Sequence, residues 1–153
     1  EVARRIGVVA MNTALEMDIY GHVNSTHVAG TKLMNGIGGS GDFARNGALS
    51  CFFCHSVAKG GAISAVVPMC SHVDHTEHDT HEQGVADVRG LSPKERAKAI
   101  INNVAHPTYR DQLMDYFERA CALNGNSQTP HILSEAFNFH ASLAETGSML
   151  FKK

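Results

Sequence analysis

The chain has no tryptophan, only four prolines in 153 residues, and no long apolar run. A bilayer span needs about 20 consecutive apolar residues, so no membrane-crossing helix is expected. A surplus of one charge is missing too. Thirteen Lys and Arg stand against fifteen Asp and Glu, for a formal net charge of −2. Without a basic surplus there is no electrostatic grip on phosphate backbones, and nucleic acid is not an expected partner. The opening EVARRIGVVAMN shows neither a signal-peptide layout nor an initiating Met. It reads as an internal cut. Four cysteines, Cys51, Cys54, Cys70 and Cys121, without secretory signs suit free thiols in a reducing compartment better than a disulfide framework.

With 43% hydrophobic residues the chain can build one domain with a core of its own. Residues 1–91 are rich in glycine and short apolar runs, whereas 92–153 show helical periodicity, a change of architecture inside one domain. In the first part IGVVAMN (6–12), CFFCHSV (51–57) and AISAVVPMC (62–70) suit buried strands of an α/β sheet. DIYGHVNSTH follows, with turn signals at Gly21 and Asn24. The stretch NGIGGSGDFARN (35–46) is then too rich in glycine for a regular element and suits a loop approached closely by a ligand, with a helix starting near Ser40 to Asp42. Unobstructed backbone N–H groups there make a ready oxyanion or phosphate cradle. As a dinucleotide fingerprint the same glycines are weak, because the βαβ context is unconvincing.

In the second part Ser92, Pro93 and Glu95 form a capping box with proline at the first helical position. Ala97, Ile100, Ile101 and Val104 then share a face. A second helix is expected from about Thr108 to Gly125. A third is expected from about Pro130, with Leu133, Ala136, Phe137, His140 and Leu143 turned inward.

Two motifs suggest metals. HVDHTEHDTHE (72–82) has four histidines spaced by three, but a helix carries the first and last to opposite faces and a strand leaves only pairs on one side. Polar site-lining or surface histidines are the better reading, and no metal is expected. CFFCH (51–55) matches the haem-attachment pattern CxxCH, yet it lies in an apolar strand-like run; buried thiols are preferred. A non-catalytic His/Cys metal- or haem-binding module remains the alternative from another class. Lys59, in AKGG, is either a solvated turn lysine or a flexible cation for a phosphate or carboxylate.

Longer blocks carry a resemblance. MNTALEMDIYGHVNSTHVAGTK, MNGIGGSGDFARN, AKGGAIS, VVPMCSHVDHTEHD, EQGVADVRGLSPKERAKAIINNVAHPTYRDQL and ETGSM, in this order along essentially the whole chain, resemble the C-terminal part of the acetyl-CoA hydrolase/transferase family. The resemblance implies an α/β fold, a CoA-transferase-like open sheet with flanking helices, forming the C-terminal half of a two-domain enzyme. It implies CoA transfer between acetyl-CoA and a carboxylate such as succinate, with butyrate or 4-hydroxybutyrate as alternative acids, through a glutamyl-CoA thioester on an upstream glutamate. By match, Gly39 offers its N–H to the thioester oxyanion, Asn35 and Lys59 contact CoA, Leu15 lines its channel, and Glu82 stands beside the nucleophile. Coenzyme A is then a substrate and no permanent cofactor is implied. A homodimer is expected of the full-length enzyme, mitochondrial if eukaryotic and otherwise cytoplasmic. One departure stands out: only Thr80 and His81 separate HTEHD from EQGVAD, where the family has a short apolar strand; a true deletion there would remove a central strand, which a buried sheet tolerates poorly. CFFCH is a second, local departure.

Overall fold

The computed structural model describes residues 2–76, 79–81 and 84–151. Its described strands and α-helices are, in order, β1 (Val9–Thr13), β2 (Glu16–Asp18), β3 (Val23–Asn24), β4 (His27–Val28), β5 (Lys32–Leu33), α1 (Ser40–Asn46), β6 (Leu49–Phe53), β7 (Val57–Ala58), β8 (Ile63–Ser64), β9 (Val66–Val67), β10 (Asp79–His81), β11 (Val85–Ala86), α2 (Pro93–Asn103), α3 (Pro107–Leu123) and α4 (Asn138–Thr146). This is the mixed α/β architecture expected.

The main sheet runs β1-β6-β10-β11, with the first three strands parallel and β11 antiparallel. Val9 pairs with Leu49 and Thr13 with Phe53, so alternation puts Ala10 and Phe52 on one face and Val9, Met11 and Phe53 on the other. The first face is sealed, with Ala10 and Phe52 fully buried, while Met11 is 71% exposed on the second. The shortened segment still supplies a strand: Asp79 pairs with Cys51 and His81 with Phe53, so three residues fill the place beside β6.

A second sheet, β3-β2-β9, packs into the same core through Met17, Val23, Val66 and Val67. The run AISAVVPMC is not one strand. The chain changes partners at Ala65: β8 closes a hairpin with β7, whereas β9 joins β2 in parallel, and Ala65 O accepts from Met17 N at 2.8 Å.

From Ser92 the regular elements are helices. The capping box forms as expected, with Ser92 N donating to Glu95 Oε2 at 2.8 Å, and α2 buries Ala97, Ile100 and Ile101. Helix α3 starts one residue before Thr108, behind an N-cap at His106, and is capped by Asn124 rather than Gly125. The third helix is corrected more strongly, since α4 begins only at Asn138 and leaves Leu133 79% and Phe137 46% exposed. Side chains of the preceding segments claim the backbone that a helix from Pro130 would use. Tyr20 Oη donates to Pro130 O, Ile132 N donates to Tyr116 Oη at 3.2 Å, and Asn124 Nδ2 donates to His131 O at 2.8 Å. Tight turns follow, with Glu135 N on Ile132 O.

Candidate functional site

Thr13 and Phe53 end β1 and β6 side by side, and the chain beyond each turns away. The space between them opens into a cavity of about 640 Å³, also lined by Leu15, Ser25, Asn35, Cys54 and Val85. Ligands of open α/β sheets bind outside the carboxyl ends of parallel strands, and a cavity of this volume suits a small organic molecule or part of a larger one.

The polar rim is rigid for local reasons. Asn24 Oδ1 accepts from Thr26 N at 3.1 Å and His27 N at 2.9 Å, while its Nδ2 donates to Glu16 Oε1 at 3.0 Å. That turn is the one signalled by Asn24 in the sequence. Asp74 ties it from the other side, accepting from Ser25 N at 2.8 Å and Thr26 Oγ1 at 2.9 Å. Asn35 Nδ2 in turn donates to Ser25 O at 2.9 Å, which anchors the start of the glycine loop at the cavity mouth.

Two buried carboxylates support this rim. Burial alone would raise Glu16, but the hydrogen bond and charge of His140, with bonds from Ser71 and Asn24, outweigh it and hold the carboxyl below its ordinary value. Asp74 is likewise pushed up by burial, yet the Ser25 and Thr26 bonds and the neighbouring His72 bring it below the usual range. Burial depresses His75.

The glycine loop is exposed as it approaches α1. Gly38 has φ +57°, a conformation open to glycine at no steric cost, and Gly39 is the N-cap of α1 without a side-chain cap. Among the described residues the Gly39 N–H has no hydrogen-bond partner. Ser40 Oγ lies 3.1 Å from His75 Nε2.

The structure thus brings Leu15 and Asn35 to one cavity, with Gly39 four residues beyond Asn35 on the same loop. Lys59 is elsewhere, exposed at φ +48° in the turn between β7 and β8. A second cavity of about 170 Å³ links the two regions, since Leu15 lines both cavities and Ala58, next to Lys59, lines the second. Glu82 lies outside the described residues, as do Glu77 and His78 of the histidine run. Among the described residues no group of three His, Cys, Asp or Glu is placed to hold a metal ion. Sequence reading missed Glu16 as a site support, and it read Asp74 and His75 only as part of a polar, site-lining run without a role for each. Asp74 and His75 had a signal, the run HVDHTEHD, whereas Glu16 had none, because its partner His140 is 124 positions away.

The profile of the acetyl-CoA hydrolase/transferase C-terminal domain matches residues 1–117. The chain belongs to this family. Its acetyl-CoA hydrolase/transferase sequence is 63% identical, over 97% of the chain, to a succinyl-CoA:acetate CoA-transferase of Clostridium kluyveri, and 50% identical, over 100% of the chain, to an acetyl-CoA hydrolase of Yarrowia lipolytica. The chain spans 28% and 31% of the lengths of these two relatives. A solved 4-hydroxybutyrate CoA-transferase from Porphyromonas gingivalis superposes with a TM-score of 0.56 and 29% identity, covering 72% of this chain and 26% of that one. The α/β fold of this acetyl-CoA hydrolase/transferase domain is therefore that of a CoA-transferase part.

Proposed function

We propose that this chain is the C-terminal, CoA-cradling part of an enzyme that moves CoA between acetyl-CoA and a small carboxylate such as succinate. The observation that carries the reading is the meeting of Leu15 and Asn35 in the cavity at the strand ends, with the Gly39 N–H, unpartnered among the described residues, just beyond. In this reading a glutamate of the upstream part attacks the thioester carbonyl and expels CoA thiolate, leaving an acyl-glutamyl anhydride. The thiolate then attacks the glutamyl carbonyl, releasing acetate and forming a glutamyl-CoA thioester. Negative charge on the thioester oxygen is received by the Gly39 N–H, a contribution of about 10²–10³ in rate for a well-aimed donor.

Pantetheine runs past Leu15 and Asn35, and Lys59, reached by way of the second cavity, meets the charged end of CoA. Glu82 stands beside the attacking carboxylate and shapes its geometry. Water or a carboxylate accepts the acyl or CoA group according to how well the assembled site excludes water. The assembled enzyme is a homodimer, mitochondrial in a eukaryote and cytoplasmic in a bacterium. It engages neither nucleic acid nor membrane, in keeping with the net charge of −2. No helix among the described residues is long and apolar enough to cross a bilayer.

Isothermal titration of the chain with CoA and acetyl-CoA tests the reading. Saturable 1:1 binding that is weakened by Asn35→Ala is expected; no heat with either ligand overturns it. The isolated chain is expected to show no CoA transfer, since the attacking glutamate belongs upstream. Turnover by the chain alone would refute that placement.

A further inference from the structure

We propose that His75 is a positioning residue: it fixes the glycine turn of residues 37–40 and thereby aims the Gly39 N–H. The inference rests on the CoA-transfer reading for its consequence, but its geometry is independent of it. His75 is 6% exposed, and its backbone is clamped to Val23, with Val23 N donating to His75 O at 2.7 Å and His75 N to Val23 O at 3.1 Å. Its ring lies 5.0 Å from that of Phe52, a fully buried side chain of the main sheet. The imidazole is thus held by the core on one side and presents Nε2 to the loop on the other.

The direction of the hydrogen bonds follows from proton counting. Ser40 Oγ has one proton, and Ile37 O, a pure acceptor, lies 2.7 Å from it. The Ser40 hydroxyl therefore donates to Ile37 O and accepts at 3.1 Å from the Nε2–H of His75. This chain, from His75 through Ser40 to Ile37, closes across Gly38 and Gly39.

Among the described residues the turn has few other ties: Phe43 N donates to Gly39 O at 3.1 Å and Asn35 Nδ2 to Gly36 O at 3.3 Å, and neither fixes the peptide that joins Gly38 to Gly39 from its N–H side. A methyl added at Gly36 or Gly38 would meet nothing within 4 Å, and Ile37 is 43% exposed. Ser40 N reaches Ile37 O only at 3.3 Å. At the other end Asn35 is pinned to Ser25 O, so the loop is fastened at the cavity rim and at His75, with the glycines between. A backbone donor can favour a developing oxyanion only if its direction is set before the reaction. Glycines do not set their own direction.

The test uses three variants. His75→Phe keeps a ring on Phe52 and removes the donor, His75→Gln restores an N–H donor, and Ser40→Ala breaks the chain at a less buried position. In the 153-residue chain, backbone ¹⁵N order parameters of Gly38 and Gly39 are expected to fall from about 0.85 toward 0.6 in His75→Phe and Ser40→Ala, and to recover in His75→Gln. In the full-length enzyme, kcat is expected to drop about 10- to 100-fold in the first two with KM for acetyl-CoA within about 2-fold, and to recover largely in His75→Gln. The double variant is expected to be no slower than the worse single one. Unchanged order parameters in both His75→Phe and Ser40→Ala, or a His75→Gln enzyme as slow as His75→Phe, would overturn the proposal. If the wild-type enzyme handles no acyl-CoA while the order parameters respond as stated, the CoA-transfer reading fails and the hold of His75 on the turn stands.

Discussion

His140 Nε2 lies 2.9 Å from Glu16 Oε2, so a residue of the last helix is joined to a residue that begins the second strand. Both side chains are about nine-tenths buried. Glu16 also accepts from Asn24 Nδ2 and Ser71 N, the former within the turn that carries the cavity rim. The helical end of the chain therefore supports the rim of the larger cavity, and its His140 and Leu143 also line the smaller one.

Removing one partner of this contact strands a buried carboxylate. His140→Leu is expected to destabilise the chain by about 3 kcal/mol, and Glu16→Gln by less, because the amide keeps an acceptor for Ser71 without the charge. Urea midpoints of the two variants check this. A shift for His140→Leu smaller than that for Glu16→Gln would contradict it.

Stability should depend on pH in two stages. His75 and His131 have folded values depressed by burial, so the unfolded chain takes up protons first, and stability starts to fall as pH drops below 6.5. Glu16 and Asp74 are held below their ordinary values of 4.5 and 3.8, so their contribution is full above those values and is lost as pH falls below them. Urea titrations from about pH 8 to pH 3 should show a shallow decline followed by a steep one. A stability maximum below pH 5 would be incompatible with these shifts.

Gly84 approaches α2 closely: a Cβ there would stand 2.7 Å from Asn103 O, a backbone atom. Gly84→Ala is expected to cost about 1–3 kcal/mol and to lower Tm by several degrees. Gly38→Ala meets no atom but has to hold φ +57°, so about 1 kcal/mol is expected there. Thermal melts of both, read together, separate contact from backbone strain.

Thiol chemistry should single out one cysteine. None of the four is in a disulfide; Cys51, Cys54 and Cys70 are buried and Cys121 is half-buried. Burial, reinforced by Asp18 and Glu16, pushes the Cys70 thiol well above its ordinary value. A thiol reagent under native conditions should modify Cys121 first and the others only on unfolding; rapid reaction at Cys70 would show that the core opens there.

For ligand binding, Asn35→Ala and Lys59→Ala should differ in kind. Asn35 is a neutral group tied to Ser25 O at the cavity, so its loss should weaken CoA binding equally at low and high salt. Lys59 is exposed, so the effect of its loss should shrink as salt screens the charge. Titrations at two ionic strengths decide, and a salt-sensitive loss in Asn35→Ala would argue against this division of roles.

Local chemistry was legible in the sequence wherever it acts over a few residues. The Ser92–Glu95 capping box, the Asn24 turn, the glycine turn before α1 and the buried face of α2 each depend on spacing alone, and the structure shows them where the spacing put them. Family membership was legible as well, because whole blocks of the chain carry it.

Tertiary structure decided what depends on partners far apart in the chain. AISAVVPMC divides between two sheets because Ala65 faces Met17, and the helix from Pro130 is replaced by turns because Tyr20, Tyr116 and Asn124 take its backbone groups. The histidine run shows the same division within a few residues. Composition marked it as polar and metal-like, but only packing against Phe52, Val23 and Ser40 gave His75 a neighbour to act on, since an imidazole acquires its role from what its two nitrogens meet.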